Sequence, residues 1–195
     1  YSLVGSAHQL FVNHEVFVDL SQNYDVVRSG YRKSYKSLVR RGRRSITWEV
    51  DDQGDEHAMA AFRDLHRCVA KKITRSSSTW NCQLESVKNK QAYVVYGWDD
   101  GDLVAGFFFA VGDTEVFYGS AVMSDRAAGD LGIGHAGLDL GIEYAASIGR
   151  SRMRLGDLVL PLTQLGPHGS KAEQISAFQT GFSNLFGIRI AIMLL

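Results

Sequence analysis

Between Phe62 and Gln83 the chain reads F-R-D-L-H-R-C-V-A-K-K-I-T-R-S-S-S-T-W-N-C-Q, and several of these side chains could do chemistry together. His66, on a helix-like stretch, can donate or accept a proton. Arg75 and Trp80 bracket the turn Ser76–Ser78. An arginine fork pairs with a carboxylate or phosphate through two parallel hydrogen bonds, while an indole supplies a flat wall. The plainer use of the same residues is a satisfied core histidine, an ion pair and a core aromatic. A second candidate is Gly129-Asp-Leu-Gly132-Ile-Gly134-His135, a glycine-rich turn that opens a helix after a strand. A helix start presents unpaired N–H groups with partial positive charge, and glycine lets a ligand come close, which suits phosphate or pyrophosphate. His135, in the first helical turn, could donate to the same ligand. A purely structural turn is the alternative, because this glycine pattern outside a strand–helix–strand unit is a weak signal.

Arg28, Arg32, Lys36 and Arg40 recur every fourth residue, with no acidic residue between Val26 and Trp48. Like charges at that helical spacing repel by a few tenths of a kcal/mol, on the order of 0.2–0.5 per pair. A polyanion would relieve that repulsion: tRNA, a lipid pyrophosphate head group or an anionic membrane. A solvated helix face is the alternative. Other chemistries fit less well. There is no H-E-x-x-H, G-x-S-x-G, C-x-x-C or Walker loop, and six scattered histidines do not suggest a metal site.

The elements that must position these residues can be read from periodicity. His14–Leu20 alternates as a strand does. Apolar residues at three- and four-residue intervals predict a helix from Tyr24 to Arg41. Ile46–Val50 reads as a strand and His57–Lys72 as a helix with Met59, Phe62, Leu65, His66 and Val69 inward. A short helix follows over Trp80–Lys88. Ala92–Trp98, Leu103–Val111 and Glu115–Met123 are β-rich and are split by Asp-Gly and Gly-Asp breaks, which predicts an antiparallel meander. A helix over His135–Ile148, a strand near Met153–Leu155, a loop, a helix over Ser170–Gln179 and a strand over Ile188–Leu194 complete an α/β pattern of mixed direction.

At 195 residues the chain can bury a real core, and 45% apolar with 22% charged residues is ordinary for a globular protein. Formal net charge is zero, so any polyanion site must be local. Two cysteines, Cys68 and Cys82, do not make a disulfide framework, and a reducing, cytoplasmic setting is expected. No apolar run reaches the roughly 18 residues of a membrane span, and no signal peptide is visible. The chain begins at Tyr1, which suggests that a preceding part is absent.

Taken in order, these blocks resemble the Fem-type members of the GNAT acyltransferase superfamily, the peptidoglycan-bridge aminoacyltransferases and related transferases of surface-polysaccharide loci. Ser170–Phe182 is similar to their K-E-x-x-I-x-x-F-K-x-G-F-G signature, with Lys171, Ile175, Phe178, Gly181 and Phe182 in register. The glutamate is displaced by one, Gln179 replaces the usual Lys, and Ser183 the last Gly. Gly129 stands where coenzyme A-dependent members carry Arg or Gln.

The resemblance implies a GNAT-like, largely antiparallel mixed sheet flanked by helices. It also implies acyl or aminoacyl transfer to an amine of a cell-wall precursor or surface-polysaccharide sugar. The acceptor would be a small or lipid-linked molecule, the donor acyl-CoA or aminoacyl-tRNA, and the place the inner face of the membrane. His66, Arg75, Trp80, Gly132, Gly134, His135 and Lys171 would bind substrate or donor. Arg28, Arg32, Lys36 and Arg40 would meet a polyanion. Tyr118 on the meander and Asp157 beyond the short strand are candidates for proton handling. Residues 1–42 would be the tail of a first half and 43–195 the acyltransferase domain. The rival readings are an acetyl-CoA-dependent N-acetyltransferase and a catalytically degenerate binding module.

Overall fold

The computed structural model describes residues 13–128, 132–159 and 191–193. Seven strands form one sheet in the order β2-β3-β4-β5-β6-β1-β7. In chain order these are β1 (Asn13–Asp19), β2 (Thr47–Asp51), β3 (Ala92–Asp99), β4 (Asp102–Val111), β5 (Glu115–Met123), β6 (Arg152–Val159) and β7 (Ala191–Met193). Six helices accompany them: α1 (Tyr24–Ser29), α2 (Lys33–Ser45), α3 (Glu56–Ala70), α4 (Ser77–Lys88), α5 (Asp125–Ala128) and α6 (Ile133–Ser147). The expected meander is present. β3, β4 and β5 pair antiparallel in sequence, and the Asp100-Gly101 turn between the first two has positive φ at both residues, as a tight hairpin requires. Only β5 and β6 run parallel. The boundary expected after residue 42 falls inside α2, and β1, from before it, pairs with β6 and β7 in the same sheet.

Alternation along the meander divides the core between the two faces of the sheet. Tyr93, Val95, Phe107, Phe109 and Val116 pack with Ile133, Ile142 and the α2 residues Tyr35 and Val39. Val94, Tyr96, Phe108 and Val122 pack with Met59 and Phe62 of α3 and with Trp80 and Val87 of α4. Phe62 lies over Gly106, where an added Cβ would sit 2.4 Å from its ring. On the other face, Gly137 and Gly141 of α6 admit the rings of Phe107 and Phe109, which a Cβ would meet at 2.1 and 2.2 Å.

The single helix expected from Tyr24 to Arg41 is two helices. α1 ends at Ser29 on a Gly30 cap, and Arg32 caps a new helix in extended conformation. The basic ridge therefore does not form one continuous row. Arg28 lies on α1, its guanidinium 6.0 Å from the Tyr24 ring, and Arg32 stands at the junction. Lys36 donates to the Ser29 carbonyl at 2.9 Å, back across that junction. Arg40 remains on α2 with Arg41 and Arg44, and together with Ser37 and Ser45 they line an open groove of about 410 Å³. Gly30 weakens the helix there by about 1 kcal/mol, and the tertiary burial of Tyr31 and Tyr35 decides the break.

Candidate functional site

β5 and β6 pair over only three residues, Glu115–Phe117 against Arg152–Arg154. Directly beyond that point each strand carries a bulge. On β5, Phe108 faces Ser120 and Phe109 faces Tyr118, so Gly119 is the extra residue. On β6, Val16 faces Gly156 and Phe17 faces Arg154, so Leu155 is the extra residue, with Gly156 at φ +134°. A bulge bends its strand and ends pairing. Among the described residues β5 and β6 do not pair past the two bulges, so their facing edges beyond Phe117 and Arg154 share no ladder hydrogen bonds. Tyr118 is the first β5 residue past the pairing. It is packed 5.5 Å from Phe109, and burial raises its hydroxyl above the ordinary phenol range. Asp157 lies on the opposite strand, three residues past Arg154 on β6 and in register with Glu15 of β1.

α6 begins beside the end of β5. Gly134 lies against Met123, the last residue of β5, and no side chain caps the helix start. Gly132 is the N-cap at φ +75°, and an added Cβ would stand 2.3 Å from the Leu38 carbonyl oxygen of α2. Its glycine identity thus follows from backbone conformation and from the close approach of α2. His135 packs edge-on to Tyr35 at 5.2 Å. Burial, then the charge of Arg32, pushes its imidazole below the usual range.

On the other face of the sheet, α3 and α4 bring His66, Arg75 and Trp80 together. The serine-rich turn is a helix cap, since Ser76 Oγ accepts from the Thr79 N–H at 3.2 Å and starts α4. That cap sets Trp80 one turn in, 5% exposed, with its ring 5.6 Å from Phe62 and 5.2 Å from His66. The Arg75 guanidinium lies 5.2 Å from the centre of the Trp80 ring. His66 is 8% exposed, and burial, then the Arg75 charge, lowers its pKa to about 4. Among the described residues, His66 Nε2, Arg75 Nη1 and Gln83 Oε1 are buried without hydrogen-bond partners. Buried polar atoms in folded proteins are nearly always satisfied by protein, water or ligand, so these three atoms are open to a bound water or a ligand. Ser120 Oγ, buried and unpartnered, lies on the neighbouring β5, adjacent to the bulge.

One buried cluster escaped sequence reasoning. Asp139 of α6 is fully buried and accepts from Arg43 Nε at 2.8 Å and from the Tyr24 hydroxyl at 2.9 Å. Arg43 also pairs with Glu143 at 2.6 Å. Tyr31 and Tyr35 stand beside it with hydroxyls raised by burial and by the Asp139 charge. The available signal was the four-residue spacing of His135, Asp139 and Glu143 on α6. The cluster fastens α1 and α2 across α6 and so holds α2 against Gly132.

The sequence-based candidates therefore fall into separate places. His66, Arg75 and Trp80 share the α3–α4 face. Gly132, Gly134 and His135 share the α6 start, with Tyr118 on β5 and Asp157 on β6 past the pairing of those strands. Lys171 and its signature lie outside the described residues, as does Gly129. Cys68 and Cys82 are free, exposed thiols. No helix among the described residues is long and apolar enough to cross a membrane.

No family model matches the sequence, and no curated protein is similar to it at a significant level. Solved structures do share its fold. The crystal structure of FemX superposes with a TM-score of 0.65 at 11% identity, over 93% of this chain and 59% of that one. L-PGS from Bacillus licheniformis gives 0.60 at 12% identity, over 94% of this chain and 59% of that one. An aminoglycoside acetyltransferase from an uncultured soil metagenomic sample gives 0.51 at 11%, over 73% and 87%. The chain thus has a GNAT-like fold, shared with FemX and L-PGS, and spans 59% of the length of each.

Proposed function

We propose that this protein transfers an acyl or aminoacyl group to an amine, on an acceptor drawn from cell-wall precursors or surface-polysaccharide amino sugars. The observation that carries the reading is the early end of β5–β6 pairing, with a bulge on each strand directly beyond it and the helix start of α6, which lacks a side-chain cap, beside the end of β5. Unpaired strand edges accept an extended, amide-bearing donor by backbone hydrogen bonding. The α6 start favours negative charge on that donor.

In the proposed step the neutral amine nitrogen attacks the donor carbonyl carbon and the carbonyl oxygen becomes an oxyanion. The carbon–sulfur or carbon–oxygen bond then breaks, and the leaving group takes the proton that the nitrogen gives up. Backbone N–H groups on the unpaired edge of β5 would steady the oxyanion. Tyr118, with its raised phenol, stays protonated and acts as a donor. Asp157, on the facing strand, is the candidate to take that proton from the nitrogen and pass it to the leaving group. His66 is neutral at physiological pH and too weakly basic to deprotonate an ammonium group, so its contribution is positioning. Arg75 on the Trp80 face would hold an anionic group of the acceptor, with His66 and Gln83 as hydrogen-bonding walls.

An aminoacyl-tRNA donor finds support in the groove of Arg40, Arg41 and Arg44 on α2; an acyl-CoA donor needs only the unpaired strand edges and the helix start. Thermal unfolding with coenzyme A, acetyl-CoA and a cell-wall precursor tests the reading. A ligand at 100 times its Kd adds about 2.7 kcal/mol, or about 5–10 °C for a chain of this size. A shift with coenzyme A or acetyl-CoA supports an acetyl-CoA-dependent enzyme, and a shift with the precursor alone supports the Fem-like one. No shift with any of them favours a degenerate binding module.

A further inference from the structure

The end of α3 and the turn that follows it carry two of the three large apolar side chains that stand exposed among the described residues, Val69 at 41% and Ile73 at 80%. They sit in a dense field of positive charge. Residues 63–75 contain the cations Arg63, Arg67, Lys71, Lys72 and Arg75 against the single acid Asp64. That acid is shared between Arg63 at 3.7 Å and Arg67 at 3.5 Å, both loose, exposed contacts. Lys71 adopts a left-handed conformation as the cap of α3, which turns the chain and projects Ile73 outward.

We infer that this tip of α3 docks on an anionic lipid bilayer, with Ile73 and Val69 entering the boundary between headgroups and acyl chains and Lys71 and Lys72 resting on anionic headgroups. The composition favours a bilayer over a protein partner. Protein interfaces are depleted in lysine and bury their apolar anchors in pockets. An exposed isoleucine directly preceded by two lysines matches an interfacial membrane contact, in which apolar insertion and attraction to anionic lipid act together. Arg75 follows Ile73 by two residues, so docking would hold the His66–Arg75–Trp80 group at headgroup level and give access to an acceptor carried in the membrane. That consequence rests on the acyl-transfer reading; the docking itself does not.

Flotation with vesicles of phosphatidylcholine alone, and of phosphatidylcholine mixed with phosphatidylglycerol, tests it. The full chain should float with the mixed vesicles and far less with the neutral ones. Ile73→Ser should lower partitioning at least about tenfold. Lys71→Gln with Lys72→Gln should lower it about fivefold for each charge removed. All three side chains are exposed, so melting temperatures should stay unchanged. A fluorophore on Cys68, with Cys82 changed to Ser, should shift to the blue on binding. Absence of flotation with the anionic vesicles overturns the inference. So does flotation that survives Ile73→Ser, or that is lost only when Arg40 and Arg44 of α2 are replaced.

Discussion

Acidification should expose the cost of keeping His66 neutral. The folded imidazole titrates at about 4, lowered first by burial and then by Arg75, whereas an unfolded histidine titrates at about 6.5. Between those values the unfolded chain holds a proton that the folded chain does not, so stability falls as the pH falls from about 6.5 to about 4 and then levels off for this group. At about 1.4 kcal/mol per pH unit the full span corresponds to about 3 kcal/mol, and partial access of solvent to the ring reduces this to on the order of 2–3 kcal/mol. For a chain of this size that is a fall of about 5–10 °C in melting temperature. The assay is thermal unfolding across this pH range for the native protein and for His66→Asn, which offers hydrogen-bonding groups and does not titrate. Titration of His135 and of the carboxylates is common to both proteins and cancels in the difference. The native curve should fall more steeply, and the two should run parallel again below about pH 4. Parallel curves throughout, or an NMR titration that places His66 near its ordinary value, would refute the reasoning.

Arg75→Gln should leave stability unchanged or raised, because it removes a partly buried charge that lacks full pairing, yet weaken binding of an anionic acceptor by at least about tenfold. Thermal unfolding and calorimetric titration measure the two effects, and the His66 pKa should rise in the same variant. Asp139→Asn leaves Arg43 with Glu143 as its carboxylate partner and Tyr24 as a neutral one, and should cost about 3 kcal/mol, read from urea unfolding. Arg40→Gln with Arg44→Gln should flatten the salt dependence of tRNA binding by about 0.7–0.9 in log–log slope for each phosphate left without its cation. If the native protein shows no such binding, the α2 groove is ordinary surface.

The elements were largely legible because each is coded locally. The two-residue alternation of β3–β5, the Asp100-Gly101 hairpin turn and the apolar spacing of α3 up to His66 survive into the fold with boundaries moved by one or two residues, whereas Val69, expected inward, is exposed. The split of α1 from α2 was not, since apolar spacing runs unbroken through Gly30 and only the burial of Tyr31 against α6 decides the matter. In the α3–α4 face, side-chain types and order sufficed to group His66, Arg75 and Trp80, because one capped turn joins the helices that carry them. The early end of β5–β6 pairing could not be read in the same way. A bulge is a one-residue offset between strands, and Gly119 and Gly156 acquire meaning only from partners far away in sequence. Asp139 and Arg43 are likewise 96 residues apart, and each alone reads as a surface charge.

The glycines around α6 show why the motif there was ambiguous. Gly137 and Gly141 are needed by the rings of Phe107 and Phe109, and Gly132 by α2, so packing explains most of the glycine at this helix. Gly134 is different: its added Cβ would meet only the flexible end of Met123, at 3.3 Å. The case for ligand chemistry at this helix start therefore does not come from its glycine content. It comes from position. The first turn has no side-chain cap and lies beside Met123 at the end of β5, the strand whose pairing with β6 stops after three residues. Replacing Gly134 should thus test ligand contact with little structural penalty, whereas replacing Gly132 would report mainly on the docking of α2.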